Sequence, residues 1–528
     1  MSTDSPTHSE NTLIENALNE NEPFSSLTST QKSMLQVSVL IVALCGIVYE
    51  LIIATISSYL LGDSVYQFSL TIGLFMFAMG MGSLLTRRLH NRLIDWFIAT
   101  EVLIALIGGL SSVLLFVVFP WTVFYKPVMY SLILIIGGLV GLEIPLLMRI
   151  LSDSGGFRKS IAQVLALDYF GALVGSVAFP LLLLPHLGLF RASFSIGLLN
   201  GLIALLNIIV FANTLRKPRA WLAAIAISIL VLFIAMLYAT VIKSFAQGQL
   251  YADQVVFSKQ TVYQNIILTR NEFDGEHRLY VDGHLQFAEK DEYRYHEALV
   301  HPVMSMEGMR EQILILGGGD GLAAREVLKY DEVKSIDLVD IDPEITNLCR
   351  DFPAIRKLNQ GALSNHKIQI HNVDAFQFLR GSKQLFDRII IDLPDPHNEA
   401  LSKLYSEEFY SLVRKRLARG AFFVTQSTSP WVTRKSYWTI GHTIDAVHRH
   451  RQSYHVLVPN FGDWGFHLAG PKPALSAGPK ITVPTQFLTD EVFQQATLFA
   501  PDSRPTETGT NSIFEPNLYL LYLSESRH

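Results

Sequence analysis

The chain has 528 residues, of which 49% are hydrophobic, and its mean hydropathy is +0.29. These values exclude a small soluble domain and predict two or three domains, one of them rich in apolar segments. The formal net charge of −5 argues against nucleic acid as a partner. Two cysteines, Cys45 and Cys349, imply no disulfide framework.

The first segment, residues 1–32, is polar and rich in Ser, Thr, Asn and Glu. It lacks the apolar stretch of a signal peptide. We therefore predict a disordered tail at this end of the chain.

Residues 33–245 are predicted to form a transmembrane domain of about seven helices, because each apolar segment reaches the roughly 20 residues that a bilayer crossing needs. The predicted segments are about Leu35–Leu61, Val65–Thr86, Trp96–Phe119, Val123–Met148, Ile161–Leu184, Phe190–Phe211 and Ala220–Ile242.

Basic residues cluster in three loops between these segments, at 87–92, 158–159 and 216–219. The positive-inside rule places such loops in the cytoplasm. Seven crossings from a cytoplasmic start would deliver the rest of the chain to the far side of the membrane. One re-entrant or miscounted segment would return it to the cytoplasm, and the sequence leaves both topologies open.

Four acidic residues fall inside the apolar segments: Glu50, Glu101, Glu143 and Asp168. Carboxylates at this depth are costly and often functional, so a set without neighbouring cations would suit a cationic ligand. Protonation or a hydrogen bond to another helix explains them equally well. Two GxxxG pairs, at 137–141 and 171–175, predict close contacts between helices.

Residues 250–300 are predicted to form a small β-domain. The stretch VVFSKQTVYQNIILT is rich in β-branched and aromatic residues, and HRLYVDGHLQF reads as two strands around an Asp282-Gly283 hairpin turn. Asp291 is placed to cap the helix EYRYHEALVHPVM that follows.

Residues 301–528 alternate between strand and helix patterns, which predicts a Rossmann-like domain with the parallel sheet of a class I methyltransferase. The predicted strands are Gln312–Leu316, Ser335–Val339, Ile368–His371, Arg388–Ile391 and Ala421–Thr425.

Acidic residues follow four of these strands, where ligands bind in such a sheet. They are Asp320 in GGGDG, Asp340 in VDID, Asp374 before Ala375, and Asp392 and Asp395 in DLPDP. Asp340 alone would be the ribose-binding acid of any Rossmann enzyme, and an Asp beside Pro is common in loops. Five carboxylates at one edge repel each other unless the ligands bring positive charge.

These motifs, together with YQN at 263–265 and LYVDGHLQFAEKDEYRYHE, resemble the spermidine synthase, or polyamine aminopropyltransferase, family from about Tyr251 to the C-terminus. The multi-span segment before them is similar to the membrane-bound bacterial branch. The resemblance implies transfer of an aminopropyl group from decarboxylated S-adenosylmethionine to an amine, most simply putrescine, to give spermidine and methylthioadenosine. It implies no metal and no permanently bound cofactor.

The resemblance also assigns roles. Asp392 is the expected catalytic base. The donor-binding residues are expected to be Gln264, His296, Gly317, Gly319, Asp320, Asp340, Asp374 and Ala375. The acceptor-binding residues are expected to be Tyr295, Asp395 and Phe461. Asp320 would bind the donor's ammonium and repel the extra carboxylate of S-adenosylmethionine.

Two departures from the soluble members bear on the acceptor: Leu393-Pro394 stands where they commonly have two serines, and Phe461 where they tend to have tyrosine. Two alternatives remain, an S-adenosylmethionine-dependent methyltransferase and a non-catalytic polyamine sensor in the membrane. We expect a multi-pass protein of the cell membrane, with the catalytic domain on the cytoplasmic side where the donor is supplied. The resemblance further implies a homodimer through the soluble half.

Overall fold

A computed structural model describes residues 27–61, 64–152, 157–473 and 480–526. The chain divides into two compact units, the first ending at Leu250 and the second beginning at Tyr251. Of the tail predicted for residues 1–32, residues 1–26 lie outside the described residues. Residues 29–32, which we placed in that tail, already belong to the first helix.

The first unit is entirely helical in its described part. Its helices are α1 (Ser29–Leu61), α2 (Ser64–Leu85), α3 (Leu93–Val118), α4 (Thr122–Ser152), α5 (Phe157–Ala178), α6 (Leu184–Val210), α7 (Pro218–Leu237) and α8 (Ala239–Leu250). A π-helical turn, Phe179–Leu183, joins α5 to α6 without a loop.

Among the described residues, six helical runs are long and apolar enough to cross a membrane, whereas seven separate segments were expected. The difference lies in Ile161–Val210, a single run that contains the fifth and sixth expected segments. Gly188 interrupts this run with φ 68° and ψ 178°, which is not helical. At this position glycine permits a conformation that other residues rarely adopt.

Contacts with α1 show that the run folds back at this break. In α5, Gly171 lies against Leu40 of α1. A Cβ placed on Gly175 would lie 2.8 Å from the carbonyl oxygen of Leu44, which is farther along α1. In α6 the order is reversed, because Ile196 contacts Cys45 while Asn207 contacts Ser38. Helices α5 and α6 therefore run in opposite directions.

The expected GxxxG contacts are present. A Cβ on Gly137 would lie 2.9 Å from the Phe75 carbonyl of α2, and Gly141 meets the Met79 backbone one turn later. The missing side chains let these helix backbones touch.

The second unit begins with a four-stranded antiparallel sheet in the order β1-β2-β3-β4. Its strands are β1 (Gln254–Gln260), β2 (Asn265–Arg270), β3 (His277–Val281) and β4 (His284–Ala288). The predicted hairpin turn is confirmed, since Asp282 and Gly283 have φ angles of 49° and 83° between β3 and β4. Positive φ at both central residues is the signature of a type I′ turn.

Helix α9 (Glu292–Met304) follows, and here one expectation is wrong. Asp291 occupies the cap position, but its carboxylate accepts hydrogen bonds from the backbone and side-chain nitrogens of Asn460 at 2.7 and 2.9 Å. A tertiary partner has displaced the local cap.

A seven-stranded sheet forms the rest of the second unit, in the order β10-β11-β9-β8-β5-β6-β7. The strands are β5 (Gln312–Gly317), β6 (Ser335–Val339), β7 (Ile368–His371), β8 (Phe386–Asp392), β9 (Leu417–Gln426), β10 (His450–Val458) and β11 (Gly462–Gly470). All five predicted strands are present and parallel. The antiparallel pair β10 and β11, which we did not predict, extends the sheet beyond β9.

Short helices connect the strands of this sheet or follow its last strand. They are α10 (Leu322–Val327), α11 (Pro343–Asp351), α12 (Pro353–Leu358), α13 (Ala375–Gly381), α14 (Glu399–Ser402), α15 (Glu407–Arg416), α16 (Arg434–Val447), α17 (Asp490–Ala496) and α18 (Leu518–Glu525). Strand β5 lies between β6 and β8 in the sheet. The strands that follow β5 in the chain are therefore added on both of its sides, and such sheets bind ligands in the crevice where the strand order reverses.

Candidate active site

A cavity of about 620 Å³ opens at the carboxyl ends of β5, β6 and β8. All twelve site residues named from the sequence line it: Gln264, Tyr295, His296, Gly317, Gly319, Asp320, Asp340, Asp374, Ala375, Asp392, Asp395 and Phe461. Among the described residues that line the cavity there is no arginine, and Lys403 is the one lysine. The five predicted aspartates, together with Asp282 from the turn between β3 and β4, therefore meet in a space with little fixed positive charge.

The glycine-rich turn after β5 brings backbone unusually close to two of these aspartates. Gly317 has φ 83°, and a Cβ there would collide with the Asp392 carbonyl. A Cβ on Gly319 would collide with the Asp340 carboxylate, which instead accepts a hydrogen bond from the Gly319 N–H at 3.1 Å. The glycines thus bring three strand ends together.

Asp320, the carboxylate within that turn, is 8% exposed and points its Oδ1 at the Leu322 N–H, 2.8 Å away. Burial raises the pKa of Asp320, while the positive charge of His296 acts to lower it.

His296 supplies that positive charge. Its Nδ1 lies 2.8 Å from the Glu292 Oε2, and Arg325 holds the same carboxylate through two hydrogen bonds at 2.7 and 2.9 Å. Burial alone would lower the pKa of His296, but the hydrogen bond and charge of Glu292 outweigh it and raise that pKa to about 9. The ring is an imidazolium at neutral pH.

Asp392 completes the centre of the cavity. Polar atoms of His296, Asp320 and Asp392 lie within 4.8 Å of one another, a geometry that could hold a metal ion. The imidazolium already supplies one positive charge to this pair of carboxylates. Tyr295 donates a hydrogen bond from its hydroxyl to the Asp392 Oδ1 at 2.6 Å, and burial raises the pKa of Asp392 to about 6.

One end of the cavity presents Asp340 and Asp374. Asp340 accepts from two backbone N–H groups, those of Gly319 and Asp342, and burial raises its pKa to about 6. Asp374 caps α13 by accepting from the Gln377 N–H at 2.9 Å, and its second oxygen pairs with Lys403 at 3.0 Å.

The opposite end presents Asp395 among aromatic side chains. Tyr522 donates to its Oδ2 at 2.8 Å and Gln426 to its Oδ1 at 3.3 Å, while burial raises its pKa to about 6. Phe461 packs edge-on against Tyr295, with ring centroids 5.7 Å apart. The hydroxyl that tyrosine would supply at position 461 is missing from this wall.

Gln264 reaches the cavity from the small antiparallel sheet. Its loop is fastened by Thr261, whose hydroxyl accepts from the Gln264 N–H at 3.0 Å and donates to the Asp342 carboxylate at 2.7 Å. The small sheet therefore contributes a wall to the same site.

Comparison with known proteins identifies the arrangement. A family model described as "Spermine/spermidine synthase domain" matches residues 292–476. A polyamine aminopropyltransferase of Leptospira interrogans is 44% identical over 84% of this chain and 88% of its own length. One from Oceanobacillus iheyensis is 41% identical over 91% of this chain and 95% of its own length.

The chain belongs to the spermidine synthase family. It is a polyamine aminopropyltransferase, and decarboxylated S-adenosylmethionine is consumed as its co-substrate. A solved spermidine synthase in complex with the transition-state analogue AdoDATO is 26% identical, covers 47% of this chain and 85% of that chain, and gives a TM-score of 0.44.

Several residues of this aminopropyltransferase site were missed by sequence reasoning. They are Asp282, His284, His397, Lys403, Gln426 and Tyr522, all of which line the cavity. Gln426 ends β9, so the strand-end rule that found the aspartates could have found it. Tyr522 lies on the C-terminal helix α18, and no local signal connects that helix with the cavity.

The two histidines form a pair. The rings of His284 and His397 stack with centroids 4.4 Å apart, and both line the cavity. Burial lowers the pKa of His397 to about 3 and also lowers the pKa of His284, so both rings are neutral at pH 7. The two neutral rings form part of the cavity wall and do not repel a cationic ligand.

Proposed function

We propose that this enzyme transfers the aminopropyl group to putrescine, releasing methylthioadenosine and forming spermidine. The observation that carries the proposal is the ring of six aspartates, the five predicted ones and Asp282, around one cavity whose described lining residues include no arginine. Both reactants are cations near pH 7, since a primary amine titrates at about 10.

The donor's ammonium would bind Asp320 near Asp392, and its ribose would bind Asp340. S-Adenosylmethionine itself carries one more carboxylate at the position next to Asp320, where repulsion and burial would both act against it. This preference favours an aminopropyltransferase over a methyltransferase built on the same sheet.

The acceptor would lie between Asp392 and Asp395. Asp392 would accept a proton from the attacking ammonium, which frees the nitrogen lone pair. That nitrogen bonds to the carbon beside the sulfonium, the carbon–sulfur bond breaks, and its electron pair stays on sulfur as a neutral thioether. Tyr295 holds the Asp392 carboxylate at 2.6 Å and so orients the base.

Putrescine fits the far end because a second carboxylate, Asp395, faces the cavity beyond Asp392. One ammonium would bind Asp395 while the other is deprotonated and reacts. Leu393-Pro394 and Phe461 make that region more apolar than the soluble pattern, which suits a short methylene chain.

The test is an assay of the purified full-length chain with decarboxylated donor and a panel of diamines and triamines. We expect methylthioadenosine release to be fastest with putrescine and the product to be spermidine. Binding of donor and amine without turnover would support the sensor alternative, and methyl transfer from S-adenosylmethionine would support the methyltransferase.

We also propose that the first unit crosses the cell membrane several times. In α7 the apolar side chains of Ile227, Phe233 and Leu237 are 61%, 51% and 64% exposed, a surface that lipid would cover. Resistance of the full-length chain to extraction from membranes by alkaline carbonate checks this placement.

We propose further that the second unit lies in the cytoplasm, because its donor is made there. Seven alternating crossings would then put the three basic loops outside, against the positive-inside rule. A C-terminal alkaline phosphatase fusion decides the question: it should be inactive, and an active fusion would place the second unit outside the cell.

The enzyme is further proposed to form a homodimer through its second unit. Phe273, in the turn after β2, is 99% exposed, which is unusual for an aromatic ring of a monomer surface. Light scattering of the purified chain should give twice the chain mass, and Phe273→Ser should shift the equilibrium toward the monomer.

A further inference from the structure

Helix α6 carries three buried polar residues at intervals of seven, Ser193, Asn200 and Asn207, each 0% exposed. This spacing places them on one face of the helix. Ser193 donates to the Gly108 and Gly109 carbonyls at 3.0 and 2.9 Å, and Asn200 donates to the Glu101 carbonyl at 3.0 Å. The face is therefore bound to α3 by hydrogen bonds.

The third residue of this face reaches a carboxylate. The Asn207 Nδ2 lies 3.3 Å from both oxygens of Glu101 and 2.8 Å from the Ser38 Oγ of α1. Helices α1, α3 and α6 therefore meet at a buried polar cluster inside an otherwise apolar unit.

Helix α1 extends the cluster along its own axis. Cys45 and Tyr49 lie seven and eleven residues after Ser38, on the same face, and all three are fully buried. The Tyr49 ring covers α3 so closely that a Cβ on Gly108 would lie 2.6 Å from its Cζ.

Glu143 of α4 is the unexplained member. It is 0% exposed, and neither of its carboxylate oxygens has a hydrogen-bond partner among the described residues. It lies near enough to Glu101 of α3 and Asp168 of α5 to interact with both electrostatically, and near enough to Cys45 and Tyr49 to affect them.

Among the described residues, the other polar atoms of this cluster without a partner are the Tyr49 hydroxyl and the amide oxygens of Asn200 and Asn207. The amide nitrogens of both asparagines already donate elsewhere. The two amide oxygens can only accept, and the Tyr49 hydroxyl, which could donate, makes no hydrogen bond to Glu143. A buried ionised carboxylate without a donor is strongly disfavoured. A positively charged occupant would offset this cost.

A small occupant suits the packing around Glu143. Val140, one turn earlier on α4, lies against Gly46 of α1, where a Cβ would come within 3.2 Å of its Cγ1. Arg149, the basic residue nearest the end of α4, donates to the Thr86 and Leu89 carbonyls at 2.9 and 2.6 Å. A proton needs no additional space.

We propose that Glu143 binds an exchangeable proton inside the first unit, at the buried polar cluster formed by Ser38, Tyr49, Glu101, Asn200 and Asn207. The titratable groups facing it are Cys45 and Tyr49 from α1, Glu101 from α3 and Asp168 from α5. The inference rests on the proposed membrane location of the unit and is independent of the acceptor amine.

Dicyclohexylcarbodiimide tests the proposal, because it modifies protonated carboxyl groups in apolar surroundings. The full-length chain in detergent is treated over a range of pH, and the peptide with Glu143 is followed by mass spectrometry. We expect modification at acidic pH and a rate that falls about tenfold per pH unit above the titration point of Glu143. A rate that does not change with pH would overturn the proposal.

Two variants and a control define the site. Glu143→Gln should lose the modification, and Glu143→Asp should keep it at acidic pH. Glu50→Gln removes a carboxylate that is one residue from Tyr49 in the same unit but lies outside the cluster, and should leave Glu143 modified as before. Methylthioadenosine release by Glu143→Gln should equal that of the wild type, which also shows that the variant folds.

Infrared spectroscopy covers the case in which the reagent cannot enter. The wild type should show the carbonyl stretch of a protonated carboxyl group that disappears at high pH and in Glu143→Gln, and its absence overturns the proposal. Protection of Glu143 by spermidine at every pH would also overturn it, in favour of an organic cation. Carbonate extraction measured separately shows whether the membrane placement has failed instead.

Discussion

Both units bury carboxyl groups, but they surround them with different partners. In the cavity of the second unit, Asp392 accepts a hydrogen bond from Tyr295, and Asp395 accepts from Tyr522 and Gln426. In the first unit, Glu143 has no hydrogen-bond donor among the described residues. Carboxylates held by neutral donors and open to a cavity keep their charge available for cations. A closed carboxylate without donors is suited to a proton alone.

Substitution of Asp392 should have the largest effect on activity and so tests this difference between the units most severely. Replacing it with asparagine keeps the shape and the contact with Tyr295 but removes the proton acceptor, so kcat should fall by roughly 10²- to 10⁴-fold. Methylthioadenosine release measures the effect. Glu143→Gln is the matched control from the first unit and should retain full activity. A loss of less than about tenfold in Asp392→Asn would exclude this residue as the base.

Asp320→Asn should have the next largest effect. The amide neither attracts the donor's ammonium nor repels a carboxylate, so affinity for the decarboxylated donor should fall by about 10- to 100-fold, the value of a hydrogen bond to a charged group. In the same variant, affinity for S-adenosylmethionine should be higher than in the wild type. Calorimetry with both compounds measures the two changes, and a parallel loss of both would show that Asp320 only shapes the turn.

The pH dependence of kcat/KM should show that Asp392 acts in its ionised form, in contrast to the protonated Glu143. Burial raises the pKa of Asp392 to about 6, and the base must be ionised to work, so kcat/KM should fall as the pH drops through about 6. A bound cation favours the ionised form, so the corresponding limb of kcat should lie at lower pH. A profile with no loss of activity between pH 7 and pH 5 would contradict the assignment, and Asp395→Asn, which keeps Asp392, should retain this limb.

Lys403→Met should have the smallest effect. Lys403 pairs with Asp374 at 3.0 Å, but its side chain is 39% exposed, and such pairs contribute about 0–1 kcal/mol. Donor affinity should therefore fall by no more than about fivefold. A much larger loss would mean that Lys403 contacts the donor directly.

The central parts of the fold and site were predictable because their signals are local. Each predicted parallel strand is a short apolar run, and the strand-end rule alone brings Asp320, Asp340, Asp374 and Asp392 to one edge. The motif DLPDP adds Asp395 three residues later. Position within a single strand–turn unit was sufficient for these residues.

The remainder depends on contacts between distant parts of the chain. Tyr522 meets Asp395 across 127 positions, and nothing near either residue indicates the pairing. Asp291 has the sequence of a helix cap, yet Asn460 takes its carboxylate. The segments on the two sides of Gly188 were predicted as separate helices, whereas in the structure they form one helical run that is interrupted at Gly188 without a loop.

Calorimetry of the wild-type enzyme tests the central claim most directly, namely that the aspartate ring selects reactants that are cations. Decarboxylated S-adenosylmethionine and S-adenosylmethionine differ by one carboxylate and are titrated separately into the same protein at pH 7. The decarboxylated compound should bind at least about tenfold more tightly, as expected when a buried carboxylate faces a like charge. Equal or tighter binding of S-adenosylmethionine would contradict the claim.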